Sequence, residues 1–327
     1  MQTFYKDKVV LVTGGTGSIG SEIVRKLLDV GPEAIRVFDN NETALFDLEQ
    51  ELNSDKIRTF MGDVRDQERL DRAFENVDIV FHAAALKHVA LCEYNPFDSV
   101  KTNVLGTQNI LNAALDKNVK KVIMISTDKA VNPINVMGAT KLLAERLTMS
   151  ANNYRGDGDT IFSCVRFGNV LDSRGSVVPI FRKQIKDGGP VTITEPEMTR
   201  FVMSIPEAVE LILKSGQIAE GKEIFILKMP ALNIVDLAEV MIDYLGPQYG
   251  FNSDEIEIEF IGKRFGEKMY EELMTDDERQ YVIDKGEIFI LNSDYPVKKD
   301  QIFDYNSHSA VKLSKEEIKS ILSELGL

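Results

Sequence analysis

The sequence predicts a doubly wound α/β fold, in which a parallel sheet is followed by a smaller C-terminal α/β part. Through the first half, short apolar runs rich in β-branched residues alternate with longer amphipathic stretches. The runs are apolar on both faces, which is typical of strands covered by helices on both sides of a parallel sheet. The 327 residues are enough for one large domain and a smaller one. We place the boundary between residues 1–165 and 166–327, and expect some segments of the second part to return to the first sheet.

The first half holds the regular part of this pattern. Six strands are predicted at Lys8–Thr13, Ala34–Phe38, Ile57–Met61, Ile79–Ala83, Val122–Ser126 and Phe162–Arg166. Five helices alternate with them at Ser21–Val30, Thr43–Leu52, Gln67–Phe74, Pro96–Asp116 and Met137–Asn153. The second half is less regular, with predicted strands at Pro190–Thr194, Glu223–Leu227 and Glu255–Ile261. Its predicted helices are Ile205–Gly216, Ile234–Tyr244, a short one at Lys268–Leu273, and Ser314–Leu325. Because no low-complexity linker separates the two parts, we expect them to pack closely around a cleft.

Composition and charge exclude several classes of protein. A net charge of −14 argues against nucleic-acid binding and against docking on anionic membranes, since both need a basic surface. The two cysteines, Cys92 and Cys164, and the three scattered histidines offer neither a disulfide framework nor metal-ligand spacing. The chain runs almost at once into a strand, and no apolar run approaches the roughly 20 residues of a membrane span. We therefore expect a cytoplasmic protein with no metal site and no membrane insertion.

A glycine-rich turn after the first strand predicts a dinucleotide site. At such a turn, bare backbone N–H groups and the dipole of the following helix bind a pyrophosphate. Gly14 and Gly17 would permit the turn and a close approach of phosphate, and Gly20 would let helix and strand pack. The predicted cofactor contacts of this turn are Gly14, Thr16, Gly17, Ser18, Ile19 and Gly20. The first part is therefore predicted to be a Rossmann-type domain that binds a nicotinamide dinucleotide.

Features of the next three strands support this site. Asp39 ends the second strand about 20 residues after the last glycine, where an acid binds the adenosine ribose hydroxyls. The third strand is followed by Asp63 and Val64, near the adenine, and the fourth ends in the small side chains of Ala83, Ala84 and Ala85. A loop-solvating acid and simple core packing are the alternative interpretations. Residues 39–42 offer no basic partner for a 2′-phosphate, so we predict NAD rather than NADP, unless Arg36 or Arg65 intervenes.

A polar segment at the end of the fifth strand holds the candidate catalytic residues. Ser126–Lys129 lies at the carboxyl edge of the sheet, where open α/β sheets bind ligands. A loop then leads to a helix on which Met137 and Lys141, four residues apart, share one face. The alternative for Asp128 and Lys129 is an ion pair in a surface turn.

This segment and helix resemble the extended short-chain dehydrogenase/reductase superfamily, in which a Tyr-x-x-x-Lys pair lies on the helix. There the Tyr exchanges a proton with a sugar hydroxyl, and the Lys binds the nicotinamide ribose. This chain has Met137 in the Tyr position, and methionine has no proton to transfer. A cofactor-binding protein without turnover would be one explanation.

A closer resemblance is to the UDP-N-acetylglucosamine 4,6-dehydratases of polysaccharide and protein-glycan biosynthesis, several of which also have Met here. It is carried by Ser126–Pro133 and Met137–Lys141. It extends in order along the chain at Ala83–Val89, Asn103–Thr107, Val165–Val170, Ser173–Pro179, Met198–Phe201 and Gly266–Glu271. The chain looks like the soluble catalytic portion of the larger, membrane-anchored relatives.

The resemblance implies NAD-dependent 4,6-dehydration of UDP-N-acetylglucosamine to a UDP-2-acetamido-2,6-dideoxy-hexos-4-ulose. Hydride leaves C4, a base takes the C5 proton, an acid assists the C6 hydroxyl to leave as water, and the hydride returns to C6. Asp128 is implied as the acid and Lys129 as the base, with its pKa lowered by burial and the cofactor. A water or Lys129 itself would accept the C4 hydroxyl proton. Asp39 and Ala44–Leu48 resemble the members that retain the configuration at C5.

The resemblance also assigns roles around this pair. Ser126 or Thr127 hydrogen-bonds the substrate near C4, and Lys141 binds the nicotinamide ribose. Asn103 orders the helix or the proton path. Lys87 reaches the cofactor or the sugar, or else is a solvated loop lysine.

The UDP moiety is expected to meet arginines and a loop of the second half, because guanidinium groups suit phosphate oxygens. Arg200 and Arg264 are implied for the diphosphate, Asn169 for the sugar-phosphate, and Glu267 for a uridine ribose or an arginine. Residues Ser176–Pro179 are implied around the uracil. The full implied set is Lys87, Arg166, Asn169, Arg174, Ser176, Val177, Pro179, Arg200, Arg264 and Glu267.

Two other functions stay open at this point. A UDP-sugar C4 epimerase shares the oxidation at C4 but returns hydride there without losing water, and the Asp128–Lys129 pair favours dehydration. A non-catalytic NAD-binding regulator of a glycan pathway would explain Met137. Since superfamily members usually pair through helices flanking the catalytic residues, we expect a homodimer or a larger homo-oligomer.

Overall fold

The structure, a computed structural model, describes residues 2–297 and 303–327, and one large sheet covered by helices forms its centre. The strands are β1 Val9–Thr13, β2 Ala34–Asp39, β3 Ile57–Met61, β4 Ile79–His82, β5 Lys121–Ile125, β6 Ile161–Arg166, β7 Asn169–Val170, β8 Val191–Ile193, β9 Thr199–Met203, β10 Ile224–Leu227, β11 Ala231–Asn233, β12 Ile258–Phe260, β13 Val282–Asp284 and β14 Ile288–Leu291. The helices are α1 Gln2–Tyr5, α2 Ser18–Val30, α3 Glu42–Leu52, α4 Gln67–Ala73, α5 Val89–Tyr94, α6 Pro96–Ser99, α7 Gly106–Asp116, α8 Val136–Tyr154, α9 Val177–Lys186, α10 Ile205–Ile218, α11 Ile234–Leu245, α12 Asp276–Arg279 and α13 Lys315–Glu324. A π-helical segment, Val100–Leu105, joins α6 to α7.

The main sheet has the strand order β3-β2-β1-β4-β5-β6-β10-β14-β13. The seven strands from β3 to β10 are parallel, and β14 and β13 extend the sheet antiparallel. The order reverses between β1 and β4, which is where a doubly wound sheet opens a crevice at its carboxyl edge. The predicted fold class is confirmed.

Both faces of this sheet are buried, which explains the continuous apolar runs of its strands. On β1, Val10 and Val12 pack on the side of α2 and α10, and Leu11 packs on the side of α4 and α7. Because successive side chains of a strand point to opposite faces, a strand covered on both sides needs apolar residues at every position.

The second part has its own apolar core. Helices α9, α11 and α13 pack there against the three-stranded sheet β11-β9-β7 and the two-stranded sheet β12-β8. Strands β10, β13 and β14, also from the second half of the chain, lie instead in the main sheet. The two parts therefore share strands across the predicted boundary.

The regular elements follow the sequence pattern closely in the first half. Each of its six predicted strands ends within one residue of the observed bounds. Helix α2 begins three residues earlier than predicted, at Ser18, directly after Gly17 as its N-cap. In the second half, the short strands β7, β9, β11, β13 and β14 were not predicted, because two to five extended residues have no clear periodicity. The helices α9 and α12 were not predicted either.

The prediction of a short helix at Lys268–Leu273 is wrong. That stretch is irregular, and a helix forms only further on, at α12, where Thr275 and Glu278 make a capping box. The guanidinium of Arg200 donates to the carbonyl oxygens of Lys268 and Met269, at 2.8 and 3.2 Å. These carbonyls thus bind a side chain from β9 instead of helical N–H groups.

Candidate active site

The turn between β1 and α2 has the geometry of a pyrophosphate cradle. Gly14 has a φ of +65°, and a Cβ there would lie 2.6 Å from the backbone nitrogen of Ala84. A Cβ on Gly20 would lie 2.1 Å from the carbonyl oxygen of Gly14. Gly17 caps α2 without a side-chain hydrogen bond to the helix, so the first N–H groups of α2 face the cleft. The turn therefore requires glycine where the strand, the alanine segment and the helix meet, and the helix N-terminus suits an anion.

Asp39 at the end of β2 is held toward this turn. Its carboxylate accepts hydrogen bonds from the backbone N–H groups of Thr16 and Asn41, each at 3.1 Å. The two arginines that could meet a 2′-phosphate both bind other groups of the protein, although Arg65 lines the same cavity as Asp39. Arg36 donates to the carbonyl oxygen of Ala73 at 2.7 Å, and Arg65 forms an ion pair with Asp63 at 2.5 Å. The arrangement fits ribose hydroxyls better than a phosphate.

Three cavities lie side by side at the carboxyl edge of the sheet. The first cavity (about 500 Å³) covers the glycine turn and Asp39, the central cavity (about 700 Å³) covers β5 and α8, and the distal cavity (about 340 Å³) lies beside residues 264–271. Gly14 and Gly17 line both the first and the central cavity, and Lys129 and Asn169 line both the central and the distal one. The three form one cleft, with Lys129 where its central and distal cavities meet.

Most residues singled out from the sequence line this cleft. The first cavity contains Thr16, Asp39, Asp63, Val64, Ala83, Ala84, Ala85 and Arg174. The central cavity contains Ser18, Ile19, Gly20, Lys87, Ser126, Thr127, Met137, Lys141, Arg174 and Ser176. The distal cavity contains Arg200, Arg264 and Glu267. Asn103, Asp128, Arg166, Val177 and Pro179 lie outside these linings.

Asp128 and Lys129 form an ion pair in which Asp128 is buried and the Lys129 side chain is 23% exposed, so the pair is not a surface turn. They lie in a 3₁₀ turn after β5, and Lys129 Nζ donates to Asp128 Oδ1 at 2.9 Å. Asp128 is fully buried, so its carboxylate reaches the cavity only through its neighbours. The Thr127 hydroxyl, which lines the central cavity, also donates to Oδ1, at 2.8 Å. The other oxygen of Asp128, Oδ2, is buried and has no hydrogen-bond donor within the described residues.

The expectation that burial lowers the pKa of Lys129 is wrong for this structure. Burial acts in that direction, but the carboxylates of Asp128 and Glu271 outweigh it, and the pKa of Lys129 is raised. Glu271 Oε1 lies 3.8 Å from Lys129 Nζ. In this state Lys129 is an ammonium group, and it needs to lose a proton before it can act as a base.

Helix α8 presents Met137, Lys141 and Glu145 on one face. Met137 and Lys141 line the central cavity, so the Tyr position of the superfamily holds a thioether beside the predicted reaction site. Lys141 Nζ donates to the carbonyl oxygen of Ile125 at 2.5 Å, and burial lowers its pKa to about 8. Ser126 Oγ donates to Glu145 at 2.5 Å, so it can offer a ligand an acceptor oxygen but not its proton.

Arg166, which the resemblance implies for the substrate, lies enclosed beneath the cleft and does not line it. It is fully buried at the end of β6 between two carboxylates. Its guanidinium donates to Glu145 at 2.7 Å, to Glu278 at 2.9 Å and to the carbonyl oxygen of Leu273 at 2.9 Å. The group joins β6, α8 and α12 beneath the cleft, and leaves no donor directed at a ligand.

The loop implied around the uracil contributes only in part. Ser176 lines the central cavity as the N-cap of α9. Val177 and Pro179 belong to the first turn of α9, and Val177 packs against the core of the second part. Arg174 donates to the carbonyl oxygen of Thr16, which places it over the glycine turn.

A buried hydrogen-bond chain connects the glycine turn with the helices. His82 Nδ1 lies 2.7 Å from Thr13 Oγ1, and its Nε2 lies 3.0 Å from Thr107 Oγ1. Burial lowers the pKa of His82 to about 3, so its ring is neutral. Asn103 exchanges two hydrogen bonds with the backbone of Leu86 and donates to Thr140 on α8. Asn103 therefore orders the loop after β4 and helix α8 and does not itself line the cleft.

Sequence reasoning gave no role to Glu271, His82 or Glu145. Glu271 closes the motif Gly266–Glu271, which was the signal available for it. Its distance to Lys129 depends on packing between segments 142 positions apart in the sequence, which no local pattern encodes.

The chain is similar to proteins of several organisms over nearly its whole length. A protein of Methanocaldococcus jannaschii described as an uncharacterized membrane protein is 61% identical over 99% of this chain and 98% of its own length. None of the helices in residues 2–297 and 303–327 is long and apolar enough to cross a membrane. UDP-glucose 4-epimerase of Rickettsia rickettsii is 41% identical over 98% of this chain and 97% of its own. The crystal structure of Pen from Bacillus thuringiensis superposes with a TM-score of 0.93 at 45% identity, covering 98% of each chain. Residues 10–293 match the polysaccharide biosynthesis protein family, and the chain belongs to that family.

Proposed function

We propose that the protein catalyses the NAD-dependent 4,6-dehydration of UDP-N-acetylglucosamine, with retention at C5, for surface polysaccharide or glycan biosynthesis. The observation that carries this proposal is the Asp128–Lys129 ion pair, whose Lys129 lies at the junction of the central and distal cavities. Dehydration needs an acid and a base next to C5 and C6, whereas an oxidation at C4 alone does not.

The cleft fits both ligands of that reaction. The glycine turn, the α2 N-terminus and Asp39 would hold the pyrophosphate and ribose of NAD, and Lys141 would lie beside its second ribose. Bound NAD would supply the reversible hydride chemistry at C4 and C6. The distal cavity would hold the UDP moiety, with Arg264 exposed at its rim and Arg200 fixed by backbone carbonyls at its base.

Side chains of the protein would transfer the protons of the reaction. The C4 hydroxyl proton would pass to the Thr127 hydroxyl, whose own proton moves to Asp128 Oδ1 along the 2.8 Å hydrogen bond. Lys129 would take the C5 proton, and Asp128 would return a proton along the same path to the departing C6 hydroxyl. Lys129 would then reprotonate C5. Met137 needs no proton in this scheme, because Thr127 and Asp128 replace the missing tyrosine.

A second candidate, a UDP-sugar 4-epimerase, is favoured by the 41% identity to the Rickettsia protein of that name. An epimerase would return hydride to C4 and would leave Lys129 without a proton to take from C5. The two candidates therefore differ in whether the C5–H bond breaks.

Proton NMR of the protein with NAD and UDP-N-acetylglucosamine in deuterated water tests both. We expect a new C6 methyl signal with deuterium at C5, and the C5 coupling pattern reports retention. A C4-epimerised sugar with hydrogen kept at C5 would replace the proposal by the epimerase. An unchanged substrate would contradict the proposed dehydration.

A further inference from the structure

Lys129 faces a second carboxylate, Glu271, which the scheme above does not use. Glu271 is 3% exposed, lines the distal cavity, and has its Oε1 at 3.8 Å from Lys129 Nζ. Its Oε2 is buried without a hydrogen-bond partner among the described residues. Leaving a buried carboxylate oxygen without a donor is unfavourable, and the group becomes stable there once it gains a proton.

The proposed reaction does not account for one proton, the ammonium proton that Lys129 carries in the structure. The C4 hydroxyl and C5 each lose one proton, while the departing water and C5 each gain one, so the net change is zero. Asp128 has to begin ionised to receive the first proton, and Lys129 has to begin as a neutral amine to receive the second. In the structure Lys129 instead pairs with Asp128 at 2.9 Å as an ammonium, which is one proton too many.

The charges around Glu271 come from three elements. It faces Lys129 and Asp128 after β5, Arg200 on β9, and Lys268, whose Nζ lies 3.8 Å from Oε2. Burial raises the pKa of Glu271 and Asp128 adds to this, while the three cations oppose it; the pKa is raised. Lys129 in turn faces Asp128, Glu271 and Arg200.

We propose that Glu271 takes the ammonium proton of Lys129 before the C5 proton is removed and holds it through the reaction. The inference rests on the dehydration proposed above. The Nζ–H bond breaks and an Oε1–H bond forms, so a buried ion pair becomes a neutral amine and a neutral carboxylic acid. Glu271 thus acts through Lys129 and not on the sugar.

The test compares Glu271→Gln with Glu272→Gln in the full chain, with NAD and UDP-N-acetylglucosamine. Glu272 is the adjacent acid, and its carboxylate accepts from Asn132 at 3.0 Å and not from Lys129. We expect the wild type and E272Q to show a dehydration rate that is nearly independent of pH from 7 to 9. In E271Q, Asp128 has to stay ionised to receive the C4 hydroxyl proton, so Lys129 has to lose its own proton to solvent. Its rate should fall at least tenfold at pH 7 and rise with pH by up to tenfold per pH unit (general base catalysis is worth about 10²–10⁴-fold).

A slower E271Q with an unchanged pH profile would overturn the proposal, because loss of packing alone adds no titration. If E271Q does not fold, the proposal is tested on the wild type instead. Infrared difference spectra are then recorded between the protein with and without the UDP-sugar. We expect a protonated-carboxyl band that shifts when glutamate is ¹³C-labelled, and its absence would overturn the proposal. Absence of dehydration by the wild type would instead contradict the proposed function, and the infrared result would still decide on Glu271.

Discussion

Arg166 and Lys129 are both cations placed between two buried carboxylates, yet the two clusters differ in how completely their atoms are bonded. Arg166 makes hydrogen bonds of 2.7 to 3.2 Å to Glu145, Glu278 and the Leu273 carbonyl. Around Lys129, one carboxylate is 2.9 Å away and the other 3.8 Å, and each has a buried oxygen without a donor among the described residues. A cluster whose hydrogen-bonding atoms all have partners stabilises one protonation state. A cluster with unpartnered carboxylate oxygens can instead gain or lose protons.

The Lys129 cluster also opens to the cleft and the Arg166 cluster does not. Lys129 lines two cavities, while Arg166 is closed off between β6, α8 and α12. A cation between two carboxylates therefore stabilises the fold at Arg166 and, as we propose, takes part in the reaction at Lys129. We make three predictions from this comparison, in order of decreasing expected effect.

The largest effect is expected when one carboxylate of each cluster is replaced by its amide. Asp128→Asn should lower the dehydration rate by about 10²–10⁴-fold, because the acid is lost, with little change in melting temperature. Glu278→Gln should leave the rate per folded molecule unchanged and lower the free energy of unfolding by about 1–3 kcal/mol. NMR of product formation measures the dehydration rate, and thermal unfolding measures the stability. A D128N variant with the wild-type rate would contradict the proposed role of the Lys129 cluster in the reaction.

The next effect concerns stability alone. Arg166→Met leaves the buried carboxylates of Glu145 and Glu278 facing each other, and should cost about 3–5 kcal/mol of unfolding free energy. Arg146→Met is the matched control, since this arginine is largely exposed and lies 3.8 Å from the same Glu278. Its loss should cost no more than about 1 kcal/mol. Denaturant unfolding measures both, and equal losses would show that the burial of Arg166 contributes nothing.

The smallest effect concerns Lys141, a buried cation on α8 whose pKa is lowered, whereas that of Lys129 is raised. Burial lowers its pKa to about 8 although Glu145 opposes it. Between this value and about 10.4, the value for the unfolded chain, the unfolded chain binds more protons, so the free energy of unfolding rises with pH. We expect Lys141→Met to be more stable than the wild type at pH 7, by about 3 kcal/mol at most, with the difference shrinking toward pH 10. Denaturant unfolding at several pH values without sugar measures it, and a constant difference would contradict the lowered pKa.

The sequence by itself determined the architecture of the first half. Apolar runs buried on both faces have a signal that is local to each strand, so β1 to β6 could be placed within one residue. The glycine turn was equally local, since its backbone conformation depends on Gly14 and its immediate neighbours. The position of the Ser126–Lys129 segment at the carboxyl edge of the sheet followed from the same strand pattern.

Only the tertiary structure decided what each charged residue touches. Arg166 and Arg200 lie in similar short motifs, yet one is enclosed by Glu145 and Glu278 and the other lines the distal cavity. The pKa of Lys129 is raised by Asp128, its neighbour in the sequence, and also by Glu271, which reaches it from a distant segment. Burial and charge act through distance in space, and a pattern along the chain contains no such distances; this is why the sequence showed which residues are polar but not which of them are free to react.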